Sequence, residues 1–224
     1  MLFRSLESVD LLAAQLQELL VGIAQMQRGI WQRHFGRRLA NCTVGIIGAG
    51  RIGGRVVQHL QGFGPPRIRV NEIAPEPTLG SRYPLQWAGK EEIYREADII
   101  TLHLPSTAIT RNLIRKEQLL MIKLDAILIN TARGGIIHEL DLAAVMRTGH
   151  LSGAAIDVFE REPYSGDLVG IERCLLTAHM GSMSVDCRTR MEIEATQEAV
   201  RFVGGEQLLS PVPPEEYEVQ RQGK

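Results

Sequence analysis

The sequence predicts an α/β fold: a doubly wound parallel sheet with helices on both faces. Three observations point to it. Short, continuously apolar runs such as TVGIIG (43–48), IITLHLP (99–105) and AILINTA (126–132) read as strands buried on both sides, as parallel sheets require. Segments of helical period stand between these runs, giving the alternation of a βαβ chain. A glycine-rich turn joins the first run to the first helix.

Taken in order, apolar residues at Leu12, Leu16, Leu19, Leu20 and Ile23 mark one stripe of a leading amphipathic helix. The strand at 43–48 is followed by a helix over 52–60, and IRVNEI (68–73) is the second strand, after Gly-Phe-Gly-Pro-Pro. A helix over 91–98 leads into the strand at 99–105, which Pro105 stops. A helix near 116–121 precedes the strand at 126–132, and the helix over 139–149 ends on a glycine. Strands at 153–159 and 174–179 follow, then a long helix over 183–205 that closes on two glycines. The proline- and charge-rich end, LLSPVPPEEYEVQRQGK, is expected to be extended or frayed.

Composition narrows the function. The 224 residues make about one and a half domains at the usual size. Twenty-five basic and 26 acidic residues leave a net charge of −1, without the basic excess of a general nucleic-acid binder. Cys42, Cys174 and Cys187 are odd in number and lack CxxC spacing, which argues against a disulfide framework or zinc site and for a reducing cytoplasm. Glu7, Asp10 and Glu18 interrupt the apolar start, so it does not read as a signal peptide, and no run is long enough for a membrane span. Arg28, Arg33, Arg37 and Arg38 read as a solvated basic face.

The turn itself, Gly48-Ala-Gly50-Arg51-Ile52-Gly53, fits the dinucleotide fingerprint, and it stands between a strand and a helix as the mechanism requires. The first glycine permits the tight turn, the second lets backbone approach a pyrophosphate, and the third packs helix against strand. The fold is therefore expected to be of the Rossmann type, with phosphates at the positive end of the helix. Glu72, at the end of the second strand, is placed to accept hydrogen bonds from the adenosine ribose and to repel a 2′-phosphate. That favours NAD over NADP, although Arg67 and Arg69 stand close enough in sequence to weaken the preference.

Three further segments follow in order, each at the C-terminal end of a strand: INTARGG (129–135), GAAIDVFEREP (153–163) and LLTAHMGS (175–182). Ligands of open α/β sheets bind at those ends. With the glycine turn and LHLPSTAITRNLI (102–114), they resemble the NAD-binding domain of the D-isomer-specific 2-hydroxyacid dehydrogenases, over roughly residues 40–205. Phosphoglycerate dehydrogenase and the glyoxylate/hydroxypyruvate reductases belong to that family.

The resemblance implies roles residue by residue. Arg133 would bind the substrate carboxylate and polarise the keto oxygen. His179 would donate a proton to that oxygen in reduction and remove it in oxidation, and Glu162 would hydrogen-bond the imidazole and raise its pKa. Asp157 would bind the nicotinamide carboxamide. Gly48, Gly50, Arg51, Ile52, Gly53, Glu72, Leu104, Pro105, Thr131, Ala132, Arg133, His179 and Gly181 would complete the cofactor site. The implied partners are a small 2-hydroxy or 2-keto acid and a second copy of the chain; neither nucleic acid, membrane nor metal is implied. The chemistry suits these residue types: hydride transfer to a 2-keto acid builds negative charge on oxygen, which calls for a cation and an acid poised near neutral pH. His34, His59, His138 and His150 read as structural, as does His103 despite its place near the cofactor, while Asp98 and Glu139 read as helix-end and helix-start charges.

The sequence departs from the family pattern in places. Ala178 stands where proline is usual, and His138 replaces an acidic residue, which removes an N-cap worth about 1 kcal/mol. The N-terminal segment of the substrate-binding domain is expected to be absent. Residues 1–182 would then be the NAD-binding domain, with 1–40 as leading helix and arm, and 183–224 a return helix and tail from a truncated second domain. Two functions follow: an NAD-dependent oxidoreductase acting on a D-2-hydroxy acid, or a non-catalytic NAD(H)-binding module resembling a redox-sensing corepressor. The intact Arg133, Glu162 and His179 favour the first; the expected loss of a cleft wall favours the second.

Overall fold

The computed structural model describes residues 25–33, 37–63 and 67–211. The leucine-striped leading helix, His34 and the proline-rich tail beyond residue 211 lie outside them. Among the described residues, seven strands form one sheet in the order β3-β2-β1-β4-β5-β6-β7. They are β1 (Thr43–Ile47), β2 (Arg67–Asn71), β3 (Gln86–Trp87), β4 (Ile99–Leu102), β5 (Ile127–Asn130), β6 (Gly153–Ile156) and β7 (Cys174–Leu176), and every neighbouring pair is parallel. The order reverses between β1 and β4, the switch point at which open α/β sheets leave a crevice. This is the doubly wound Rossmann-type fold the sequence predicted.

The helices are α1 (Gly53–Leu60), α2 (Pro77–Arg82), α3 (Lys90–Glu96), α4 (Lys116–Met121), α5 (Glu139–Arg147) and α6 (Val185–Val203). Successive strand side chains point to opposite faces, so Ile46 and Ile47 enter two different cores. On one face Val56, Val57 and Leu60 of α1 close over Val44, Ile46 and Val70. On the other, Ile93 of α3, Leu119 of α4 and Leu142 of α5 close over Ile47, Ile100 and Leu128. Each such fully buried aliphatic side chain contributes about 1.5–3 kcal/mol. β1, β4 and β6 are buried along their whole length, which is why their sequences read as unbroken apolar runs.

The differences from expectation are concentrated at the strand ends. β4, β5, β6 and β7 stop at Leu102, Asn130, Ile156 and Leu176, about three residues before their apolar runs end. The remaining residues leave the ladder and form the loops of the cleft. The sequence reading missed α2 and β3: α2 begins on Pro77 and has no buried residue, and β3 is two residues long.

Asp98 proves more than a helix-end charge. Its Oδ2 accepts a 2.7 Å bond from the Thr43 backbone N–H, tying β4 to the start of β1, and its Oδ1 meets both Lys123 and Arg37. Arg37, read as part of a solvated basic face, is exposed and also pairs with Asp98 and Asp125. Burial alone would raise the Asp98 pKa, but the Lys123 and Thr43 hydrogen bonds and the adjacent cations hold it below the ordinary 3.8. A depressed carboxylate stabilises the fold above its unfolded pKa, and that contribution is lost as pH falls through the folded value. Asp98→Asn is therefore expected to cost about 2–3 kcal/mol at pH 7. In urea melts at several pH values the difference from the parent should shrink below pH 3.8. A constant difference across the series would refute the assignment.

Candidate active site

All the loops singled out in the sequence follow the C-terminal ends of parallel strands, so they share one edge of the sheet. The glycine turn leaves β1 there. Gly48 has φ +97°, and a Cβ on it would stand 2.5 Å from the carbonyl oxygen of His103 after β4. A Cβ on Gly53 would stand 1.9 Å from the Gly48 oxygen, so α1 starts pressed against the turn. Gly50 is the contrast, with nothing within 4 Å of its added Cβ. That clear approach lies beside the first turn of α1, which has neither a side-chain cap nor an acidic residue. Uncapped N–H groups and open backbone suit a pyrophosphate.

Glu72 comes to the same turn. Its Oε2 accepts a 2.6 Å bond from the Ala49 N–H, and its Oε1 a 2.8 Å bond from Ile73. Leu104 also reaches the turn, its Cδ2 lying 3.0 Å from a Cβ built on Gly48, and Pro105 follows it. Arg67 and Arg69, by contrast, are not at the ribose end. They pair in register with Thr43 and Gly45, towards the start of β1, and Arg69 forms ion pairs with Glu92 and Glu96. Neither arginine is therefore placed with Glu72 at the glycine turn. Behind the turn, His103 Nε2 lies 3.1 Å from the Thr101 hydroxyl, and burial pushes its pKa down to about 4.

The loop after β5 is held by a residue that the sequence reading passed over. Asn130 is 2% exposed; its Nδ2 donates to the Arg133 carbonyl at 3.0 Å and its Oδ1 accepts from the Ala132 N–H at 3.1 Å. The amide thus fixes Thr131, Ala132 and Arg133 as a turn. The Arg133 side chain is exposed and donates to the Ala132 carbonyl at 2.6 Å. The one available signal was a polar residue closing an apolar strand. Gly134 then lies so close to the next loop that an added Cβ would meet the Phe159 carbonyl oxygen at 1.9 Å.

After β6, the buried Asp157 accepts bonds at Oδ1 from the Thr177 hydroxyl, 2.6 Å, and the Met180 N–H, 2.8 Å. Its Oδ2 accepts no hydrogen bond among the described residues. Thr177 was not anticipated either. His179 follows β7 with φ +52°, a left-handed conformation costing a side-chain-bearing residue roughly 1–2 kcal/mol. A 2.9 Å bond from its N–H to the Asp157 carbonyl holds it there. The turned imidazole places Nδ1 3.1 Å from Glu162 Oε2. Glu162 Oε1 accepts the Phe159 N–H at 3.1 Å, and this bond, with the imidazole, holds its pKa below the ordinary carboxylate value. Glu162 and His179 are thus brought together; Arg133 shares their edge without bonding to either, and Gly181 lies two residues past the imidazole.

Among the other histidines, His150 Nε2 lies 2.8 Å from the Ile122 carbonyl oxygen, and His138 caps α5 by position but not by its side chain. Among the described residues no group of three or more His, Cys, Asp or Glu is placed to hold a metal ion, and no helix is long and apolar enough to cross a membrane.

A sheet that reverses at a glycine turn, with an acidic residue reaching back to that turn, defines the class of dinucleotide-binding α/β domains. Within it, residues 9–181 match the family described as "D-isomer specific 2-hydroxyacid dehydrogenase, NAD binding domain". The chain belongs to that family, whose domain takes NAD as its cofactor. It is 38% identical over 186 residues to a glyoxylate reductase of Aeropyrum pernix, covering 80% of this chain and 52% of that protein. It is 34% identical to the D-3-phosphoglycerate dehydrogenase of Bacillus subtilis, covering 81% of this chain and 35% of that one. The crystal structure of a glyoxylate reductase from Paecilomyes thermophila superposes with a TM-score of 0.84 at 25% identity, covering 95% of this chain and 65% of that one. The chain spans about half, or less, of the length of these curated relatives.

Proposed function

We propose that the protein is a cytoplasmic NAD-dependent oxidoreductase that interconverts a D-2-hydroxy acid and its 2-keto acid, as phosphoglycerate dehydrogenase-like enzymes do. The observation that carries this is the 3.1 Å His179–Glu162 pair on the same sheet edge as the glycine turn. NAD, when bound, supplies or accepts the hydride. The uncapped start of α1 and the open approach at Gly50 receive its pyrophosphate, Glu72 its ribose hydroxyls, and the free Oδ2 of Asp157 the carboxamide.

The chain's own residues then handle the acid. Arg133 offers a planar fork to the substrate carboxylate and a positive charge to the keto oxygen. Because Nδ1 of His179 faces Glu162, Nε2 is the atom that delivers the proton to that oxygen in reduction and takes it back in oxidation. The ionised Glu162 steadies the imidazolium in both directions.

The test is titration with NADH by fluorescence, then NADH oxidation with glyoxylate, hydroxypyruvate and pyruvate. Turnover on any of them supports the oxidoreductase. Binding without turnover favours an NAD(H)-sensing module. One observation lends that second reading weight: the His179 and Glu162 side chains are 48% and 39% exposed, so the described residues provide little cover for the reaction. Gly50→Ala separates cofactor binding from folding. Its Cβ meets nothing in the protein, so the melting temperature should stay unchanged while NADH affinity falls about tenfold or more. Unchanged NADH affinity would remove the glycine turn from the cofactor site.

The same reading makes residues 183–224 part of a second domain and the working unit a homodimer. Cys187 is the one buried residue of α6 among those described, and Ile193, Val200 and Val203 form an exposed apolar stripe along it. Light scattering at twice the 24.9 kDa chain mass would support the dimer.

A further inference from the structure

The other edge of the sheet holds a cavity that the dehydrogenase reading leaves unused. It measures about 600 Å³ and is walled by residues around the N-terminal ends of β1, β2, β4 and β5. Five of the lining side chains are cationic, Arg37, Arg67, Arg69, Arg95 and Lys123, and two, Glu96 and Asp98, are acidic. The length of β1, five residues at about 3.3 Å each, separates this edge from the glycine turn.

The acidic groups are committed within the wall. Asp98 is shared between Lys123 and Arg37, and Glu96 is bound to Arg69. Arg67 is different. Its Nε donates to the buried Thr43 hydroxyl at 3.0 Å, which orients the guanidinium, and its Nη groups meet no carboxylate among the described residues. Asn41 stands in the same wall, and its side-chain amide makes no hydrogen bond among the described residues. An oriented guanidinium fork and a free amide in one lining, with Lys123 and Arg37 in the same wall, match a doubly charged tetrahedral oxyanion. The volume is that of a small-metabolite pocket and has room for an organic group beyond the anion.

We propose that this cavity binds the phosphate group of a small phosphorylated metabolite, with Arg67 and Asn41 as its principal contacts. The site is separate from the cofactor cleft and does not depend on the dehydrogenase reading.

The test uses the full chain saturated with NADH, which occupies the competing phosphate site at the glycine turn. Backbone amide NMR shifts of Asn41 and Arg67 are followed during titration with inorganic phosphate and with phenyl phosphate, against sodium chloride at equal ionic strength. Saturable shifts with both phosphates are expected, since the lining recognises the phosphate group and has room for the ring. Arg67→Gln should weaken phosphate binding about tenfold, while Arg188→Gln, on exposed α6, should leave it unchanged. Asn41→Asp, an exposed position, brings a negative charge into the wall and should also weaken it; this arm decides the matter if Arg67→Gln does not fold. Three results would overturn the proposal: no saturable shift, an equal response to chloride, or unchanged affinity in the folded wall variants.

Discussion

His179→Gln is expected to lower the turnover of a 2-keto acid by about a thousandfold while NADH binding stays measurable. Glutamine keeps a polar group of similar reach but carries no transferable proton at the pH of the assay. The loss should fall on kcat, since the proton moves only as charge develops on the substrate oxygen. Glu162→Gln should cost less, about 10–100-fold: its amide oxygen keeps the Phe159 N–H, but the imidazolium loses its counter-charge. The sign of the pH dependence follows from Glu162. Its pKa is held below 4.5, first by the Phe159 N–H and then by His179. The Glu162 contribution to the pair is therefore complete above that pH and fades as pH falls through its lowered value. In Glu162→Gln that part of the acid limb disappears. Steady-state rates from pH 4 to 9 on the parent and both variants provide the check. Rates within about twofold of the parent for His179→Gln would end the general-acid assignment.

The fold was legible where burial on two faces left a continuous mark. TVGIIG, IITLHLP and AILINTA contain strands whose every residue, or nearly so, is hidden, so their apolar character needed no partner to be read. α2 and β3 left no such mark, being short and largely exposed. The glycine turn was legible because its signal is local: three glycines, one turn, one helix start. The pairing of Glu162 with His179 was legible only through family resemblance. Glu162 and His179 lie 17 residues apart, and no periodicity of strand or helix predicts their 3.1 Å contact. The contact depends on a left-handed turn at His179 that is held from Asp157. Arg37 and Asp98, 61 residues apart, escaped for the same reason: a surface arginine and an ion-paired one look identical until the sheet brings the strand ends together. Asn130 was visible within its motif, but its two bonds to the Arg133 turn follow from the bend of the loop, which its side chain itself defines.

Gly134→Ala should be the most damaging single-methyl change in the site. The added carbon would lie 1.9 Å from the Phe159 carbonyl oxygen, 2.1 Å from its carbon and 2.6 Å from the Glu160 nitrogen, all backbone atoms. No rotamer change relieves such a contact, so the loop after β5 and the loop after β6 must move apart. Overpacking of this kind costs about 1–3 kcal/mol. The functional effect should be larger than the stability loss suggests, because the two loops carry different parts of one constellation. Arg133 is the residue before Gly134, and Phe159 supplies the N–H that fixes Glu162. Separating them by even about 1 Å moves Arg133, the proposed carboxylate-binding cation, away from His179, the proposed proton donor, a displacement that can cost about a hundredfold in rate. NADH affinity should change much less, since Gly50 and Glu72 follow other strands, β1 and β2. A thermal melt, an NADH titration and a keto-acid assay on the same preparation separate these effects. A variant that keeps parental turnover would show that the two loops do not act as one site.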